Sequence, residues 1–326
     1  MKQGYIYLQY GFWKAVKELY ANVFGPNGWD IFCVLRTIKA KIEIPIEAFG
    51  QDDYLSMLWH ESGGSCVVEK GQIDKILSEK ILSIEELCSV FLLDKTETEC
   101  NMLSYGKGIF CLNAEMLSRK RYLLSDKKIS FDYLQEGNYY CIKDSFSHPC
   151  NSLILIDPYL LNDSKNIHNH LKHLLKNILP QTSEFTFDLS IFSGIGKCNY
   201  DNKELGEKFF EEIETMLNEI RPCLDISFTM YQIPAQGEGW HDRYILTNSL
   251  IIEATSGFDV FGPIHGKIKA KKDCIFNIYH PIFNKSGAAI TYNKFIKKTT
   301  LESQKEERYQ HRRFGTEVNR LFDLIQ

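Results

Sequence analysis

The sequence predicts an α/β protein of two domains, and three observations predict it. Short runs rich in β-branched and aromatic residues alternate with longer stretches whose apolar residues recur at helical spacing. The alternation pauses in a polar passage at 118–150 and then resumes. Finally, 326 residues with 44% apolar and 25% charged content supply chain for more than one core. Strands that alternate with helices are the pattern of a parallel or mixed sheet. The expected organisation is an N-terminal α/β domain over 1–145, containing a βαβ unit, and a second α/β domain over 146–326 with a central mixed sheet and a C-terminal helix.

In the first domain, Phe12, Val16, Leu19, Tyr20 and Val23 share one face of a helix over 11–23, which Gly25-Pro26-Asn27-Gly28 stops. Residues 31–46 are β-branched and apolar and predict a strand or hairpin. Ile73 to Leu77 follow, then a helix opened by Ser83, with Glu86 three residues on as in a capping box. Ser89 to Asp94 reads as a buried strand, Thr96 to Ser104 as a helix and Gly108 to Leu112 as a strand, which together make a parallel βαβ unit. Asp94, Glu97 and Glu99 fall after the first of these strands. Nucleases and nucleotide binders place carboxylates there, and a helix dipole equally favours acids at its start. No Walker A or dinucleotide glycine signature accompanies them.

In the second domain, Ser152 to Asp157 is a central strand stopped by Pro158. Asn166 to Leu179 is an amphipathic helix whose Ile167, Leu171, Leu174, Leu175 and Ile178 share a face. His168, His170 and His173 fan out around that stripe, and only His170 and His173 approach one another, which disfavours a metal site. Phe185 to Phe192 is the next strand, Glu204 to Ile220 a helix and Leu224 to Tyr231 a strand. Tyr244 to Leu246 and Leu250 to Ile252 make an antiparallel hairpin turned at Asn248-Ser249, and Cys274 to Tyr279 is a late edge strand. Leu301 to Ile325 is read as a helix through Phe314, Val318, Leu321 and Ile325.

A net charge of −4 and a pI of about 6.2 exclude a protein that coats nucleic acid or acidic membrane by bulk charge. Phosphate binding must therefore be local. Two basic stretches are candidates for it: Lys267, Lys269, Lys271 and Lys272, and Arg308, His311, Arg312 and Arg313. The alternating lysines would line one face of a strand, or simply protect a sheet edge from aggregation. Ten cysteines without a Cys-x-x-Cys pair argue against zinc ribbons and thioredoxin-like redox motifs. Their apolar settings, as at Cys33, Cys111 and Cys274, suit reduced thiols in a cytoplasm. No segment approaches the ~20 apolar residues that span a bilayer, so the chain is not expected to be integral to a membrane. No cofactor is called for.

The most informative motif is Trp240-His241-Asp242-Arg243 running into the strand Tyr244-Ile245-Leu246-Thr247-Asn248, followed by Ser256-Gly257-Phe258-Asp259. With Asp157-Pro158-Tyr159, it resembles the phospholipase-D-like domain at the C-terminus of MIT-domain proteins. That family's pattern is a strand ending in Asp-Pro-Tyr, a later His-Asp-Arg, and a small residue leading into Gly-Leu-Asp. The resemblance covers residues 148 to 282, with Gly-Phe-Asp for Gly-Leu-Asp and Thr255-Ser256 for the usual Gly-Arg.

The wider phospholipase D superfamily uses a His nucleophile, a Lys two residues later and an orienting Asp. In this chain the resemblance puts His241 at the nucleophile and Arg243 at the cation, and Asn248 falls where the acid would be. Asn does not stabilise an imidazolium as a carboxylate does; Asp242 or Asp259 would have to replace it. The chain holds one such motif, so catalysis would need a homodimer or an unrelated second half. The MIT-type domains are non-catalytic binders of anionic ligands, and the resemblance implies the same here, with Asp157, Tyr159, His241, Asp242, Arg243 and Asn248 as the ligand-binding set. Three classes stay open: a binder of nucleic acid or a phospholipid headgroup, a phosphodiesterase using His241 with Arg243 and Asp259, and a structural subunit of a larger assembly. Phospholipase-D-like modules joined to a further α/β domain resemble components of prokaryotic defence or nucleic-acid-processing systems. That likeness makes a protein partner or homodimer the expected company.

Overall fold

The computed structural model describes residues 4–20, 40–43, 45–49, 66–119, 126–143, 149–195, 203–233, 240–280, 288–304, 312–315 and 318–324. The chain is α/β and divides into two compact units, Met1–Ser125 and Asp126–Gln326.

In the first unit β1 (Ile6–Gln9) runs directly into α1 (Tyr10–Tyr20). After it come β2 (Ala40–Glu43), α2 (Ile46–Phe49), β3 (Cys66–Val67), α3 (Gln72–Ser78), α4 (Ile84–Leu87), β4 (Val90–Leu92), α5 (Glu97–Lys107), β5 (Phe110–Leu112) and α6 (Ala114–Arg119). The strands form one parallel sheet in the order β3-β2-β1-β4-β5. β1, β4 and β5 are buried along their whole length, as strands covered on both faces must be. Tyr7 stacks on Phe91 across β1 and β4 at 4.7 Å. β2 pairs in parallel with β1 and not as half of a hairpin; residues 31–39 and 44 of the run expected to hold it lie outside the described residues.

The capping box at Ser83 forms, its N–H donating to Glu86 at 2.7 Å and its hydroxyl accepting the Glu86 N–H at 3.3 Å. Thr96 and Glu99 make a second one at α5, which absorbs Glu99. Glu97 pairs with Arg119. The Asp94 carboxylate lies over Gly11 at the start of α1, where the helix dipole favours a negative charge. The three acids thus diverge into separate local roles. Among the described residues no group of three or more His, Cys, Asp or Glu side chains is placed to hold a metal.

The second unit contains β6 (Lys127–Phe131), α7 (Tyr140–Lys143), β7 (Ser152–Ile156), a π-helical turn (Ile167–Leu171) continuing into α8 (Lys172–Ile178), β8 (Phe187–Ser193), α9 (Lys203–Ile220) and β9 (Ile226–Gln232). Then come β10 (Tyr244–Thr247), β11 (Ile251–Ala254), β12 (Phe261–Ile264), β13 (Lys267–Ala270), β14 (Cys274–Tyr279), α10 (Ala288–Ser303), β15 (Arg313–Phe314) and a 3-10 turn (Arg320–Leu324). Eight strands form one mixed sheet, β15-β9-β8-β7-β10-β11-β14-β6, while β12 and β13 pair separately. β7, β8 and β9 run parallel and the remaining pairs are antiparallel. Leu171, Leu174, Leu175 and Ile178, with Phe209, Ile213 and Met216 of α9, share a buried cluster with Leu153, Leu155, Leu189 and Ile191 of β7 and β8.

Three expectations are revised here. The domain boundary lies at 125/126 and not at 145/146, because Lys127–Phe131, read as part of a polar passage, pairs with Cys274–Ile278 and closes the second sheet. For the same reason β14 is an interior strand and β6 is the edge; its alternating exposure, with Lys128 and Ser130 outward, is what made it look like linker. Leu301 to Ile325 is not one helix. α10 ends at Ser303, and Arg313-Phe314 pairs with Tyr231 and Met230 as a short edge strand before the 3-10 turn. Of the expected apolar positions Phe314 and Leu321 are buried, Val318 is exposed, and Ile325 lies outside the described residues. Arg308 and His311 lie outside the described residues. No helix is long and apolar enough to cross a membrane among the described residues, and Cys88, Cys100, Cys111, Cys141, Cys150, Cys223 and Cys274 are free thiols.

Candidate functional site

β7 and β10 are antiparallel neighbours with Tyr244 opposite Ile156. Continuing that register one residue beyond each strand sets Arg243 against Asp157, and two further residues set His241 against Tyr159. The side chains follow this rule. Arg243 Nε lies 3.9 Å from Asp157 Oδ1, and His241 Nδ1 lies 3.4 Å from the Tyr159 hydroxyl. The pair thus gathers beyond the carboxyl end of β7, where its neighbours change from parallel β8 to antiparallel β10. Open α/β sheets place ligands at such switch points.

Asp157 is the knot of this end of the sheet. It is 1% exposed. Its Oδ1 accepts the Tyr159 N–H at 3.0 Å in an Asx turn, and its Oδ2 accepts the Phe258 N–H at 2.9 Å from the loop after β11. Burial pushes its carboxyl above the usual carboxylate range, and the nearby Asp259 charge adds to the rise. The two backbone N–H groups and the Arg243 guanidinium pull the other way.

Arg243 is oriented and still accessible. Its guanidinium lies 5.0 Å from the centre of the Tyr159 ring, a cation–π arrangement, and its Nη1 donates to the Thr255 carbonyl at 3.4 Å. The side chain keeps 24% of its surface exposed. Gly257 closes the loop beside it with φ +94°, and a β-carbon there would lie 3.1 Å from Arg243 Cδ and Nε and from Asp157 Oδ2. Glycine at this step lets the turn approach the Asp157–Arg243 pair.

The expected residues separate into three groups. Asp157, Tyr159, His241 and Arg243 assemble. Asp242 is exposed and, by strand alternation, faces away from His241 and Arg243; its charge acts on Tyr244 and Lys298. Asp259 pairs with Lys272 at 2.6 Å and does not contact His241. Asn248 is excluded. It sits at the far end of β10, about 17 Å from Arg243 at the rise of an extended strand, buried, with Oδ1 accepting the Asn151 N–H at 3.0 Å. Among the described residues the side-chain partner of His241 is therefore a phenol and not a carboxylate, so the acid that would stabilise an imidazolium is not in place.

The basic stretches are largely engaged as well. Lys267 pairs with Glu136, Lys272 with Asp259, and Lys271 reaches His170. Among the helix histidines, His168 meets Glu212 at 3.0 Å, His173 is exposed, and His170 is buried. Gly257 and Thr255, which shape the cradle, were visible in the sequence within the run Thr255-Ser256-Gly257-Phe258-Asp259 but not among the expected site residues. The glycine after a strand was the legible signal for Gly257; Thr255 contributes a backbone carbonyl, which leaves no mark in the sequence. No protein-family model matches the chain, and no curated protein matches it.

Proposed function

We propose that the second unit is a non-catalytic binding module for a phosphate-bearing ligand, a nucleic-acid end or backbone or a phospholipid headgroup, which Arg243 and His241 would grip together. The observation that carries this is the setting of Arg243. Its guanidinium is stacked over Tyr159 and tethered to the Thr255 carbonyl, yet it stands 3.9 Å from the Asp157 carboxylate and is not closed into a tight pair. A pre-oriented, partly exposed guanidinium is suited to bidentate capture of phosphate oxygens. The exposed His241 beside it adds a second donor when protonated. A phenol and not a carboxylate as the side-chain partner of His241 among the described residues supports binding over phosphodiester cleavage. The further setting we propose, a subunit of a prokaryotic defence or nucleic-acid-processing assembly, follows from the resemblance alone.

Arg243→Ala tests the reading. It should weaken binding of a short 5′-phosphorylated single-stranded oligonucleotide or of an inositol polyphosphate, with the hydrogen-exchange pattern of the unit unchanged. Unchanged affinity for both probes would remove it. The catalytic alternative predicts that His241→Ala abolishes cleavage of such an oligonucleotide by the intact chain; an intact substrate with the wild-type protein removes that alternative.

A further inference from the structure

His170 is 2% exposed although it lies on an otherwise amphipathic helix. It lies in the π-helical turn over Ile167–Leu171. His170 stands three residues after Ile167 and four before Leu174, on the flank of the face those residues bury. There His170 meets the buried Tyr139, 3% exposed, and the exposed Lys271, whose side chain runs across Gly262 with Cδ 3.0 Å from where a β-carbon there would be.

The direction of each hydrogen bond is fixed by chemistry. The Phe258 carbonyl only accepts, so the Tyr139 hydroxyl donates to it. The phenol oxygen is then an acceptor for His170 Nδ1 at 3.2 Å, and it also takes a backbone hydrogen bond at Phe261. An ammonium only donates, so Lys271 Nζ, 3.0 Å away, donates to His170 Nε2. Both ends demand the same state, a neutral imidazole carrying its proton on Nδ1. Across the Phe258 Cα, in the preceding peptide, the N–H of the same residue donates to Asp157 Oδ2.

We propose that Tyr139, Nδ1-protonated neutral His170 and Lys271 form a positioning relay that anchors Phe258 by its carbonyl and so holds the N–H of the same residue, one peptide earlier, against the Asp157 carboxylate at which Arg243 is aimed. Its relevance to ligand binding rests on the function proposed above. The groups that face His170 agree with the neutral form. Burial, first, and then Lys271, Lys272 and His173 hold its pKa down to about 4, against the opposing pull of Asp259. Tyr139 and Lys271 are positioning residues, since neither touches the proposed ligand site.

The intact chain carrying Tyr139→Phe tests the relay. The phenyl ring keeps its packing against Phe261 and loses the hydroxyl. The Phe258 amide should then exchange about tenfold faster, the factor for one buried hydrogen bond lost. The nitrogen shifts of His170, those of an Nδ1–H tautomer in the wild type, should change with it. Lys271→Gln should accelerate the same amide, and Lys271→Arg, which restores a cationic donor, should reverse most of the effect. Affinity for the 5′-phosphorylated oligonucleotide should fall about threefold to tenfold in Tyr139→Phe. Wild-type exchange at Phe258 in Tyr139→Phe, or an Nε2–H tautomer in the wild type, overturns the relay whatever the ligand. A wild-type protein that binds neither probe overturns the functional reading instead, and the exchange result still decides the relay.

Discussion

Gly257→Ala puts the geometry of the cradle under direct strain. At φ +94° an L-residue costs about 1–2 kcal/mol relative to glycine, because its β-carbon crowds the neighbouring carbonyl. The new methyl would also lie 3.1 Å from Arg243 Cδ and Nε and from Asp157 Oδ2, so one of them must give by a few tenths of an ångström. Asp157 is held by two backbone N–H groups, whereas the end of Arg243 is held by a long bond to Thr255 and a ring face. Arg243 therefore moves, and it moves off Tyr159. The second unit should lose about 1–2 kcal/mol of local stability, and affinity for the oligonucleotide should fall about tenfold, equivalent to about 1.4 kcal/mol. A chain with two compact units need not unfold in one transition, so the assay is hydrogen exchange in peptides spanning 152–160 and 244–258, paired with anisotropy titrations of the labelled probe. An alanine variant with wild-type exchange in both peptides and wild-type affinity would refute the claim that this turn aims the guanidinium.

Two further outcomes follow from the same geometry. Asn248→Ala strands the buried Asn151 N–H and should cost about 1–3 kcal/mol of stability. Probe affinity should stay unchanged, because the residue lies at the opposite end of β10; a selective loss of affinity in folded protein would return Asn248 to the site. The Asp157 carboxyl, raised in the folded state, contributes stability that is fully present below its unfolded pKa and is lost as pH rises through its folded pKa. An anion on Arg243 raises that pKa further, so binding takes up a proton and should tighten as pH falls through the folded-state pKa. Titrations of an oligonucleotide without a terminal phosphate, in a His241→Gln background that removes the imidazole's own protonation, read this directly. A flat profile between pH 7 and 4 would mean that Asp157 and the ligand do not compete for Arg243.

Features carried by local pattern were legible in the chain. The strand ending at Asp157-Pro158, the helix over 203–220, the Ser83 capping box and the hairpin turned at Asn248-Ser249 all stand where periodicity and capping chemistry put them. Features that depend on a partner were less so. Lys127–Phe131 opens on two lysines within a polar passage and carries only Ile129 and Phe131 as apolar residues, and it becomes a strand because β14 offers it a free edge. Arg313-Phe314 carries helical spacing and is drawn into an extended pair by β9. The exposure of one face or one edge is a property of what lies beside it, and short segments follow their surroundings over their own propensity.

For the site, the sequence by itself determined that His241 and Arg243 share one face of an extended segment and that Asp157 ends a buried strand, because alternation in a strand and a proline stop are local facts. Tertiary structure alone decided who meets them. The register between β7 and β10, set by packing of segments more than eighty residues apart, gives Tyr159 to His241 and Asp157 to Arg243. The length of β10 carries Asn248 away from both. What His170 meets in the core was decided in the same way, since Tyr139 and Lys271 come to it from segments about thirty and one hundred residues distant.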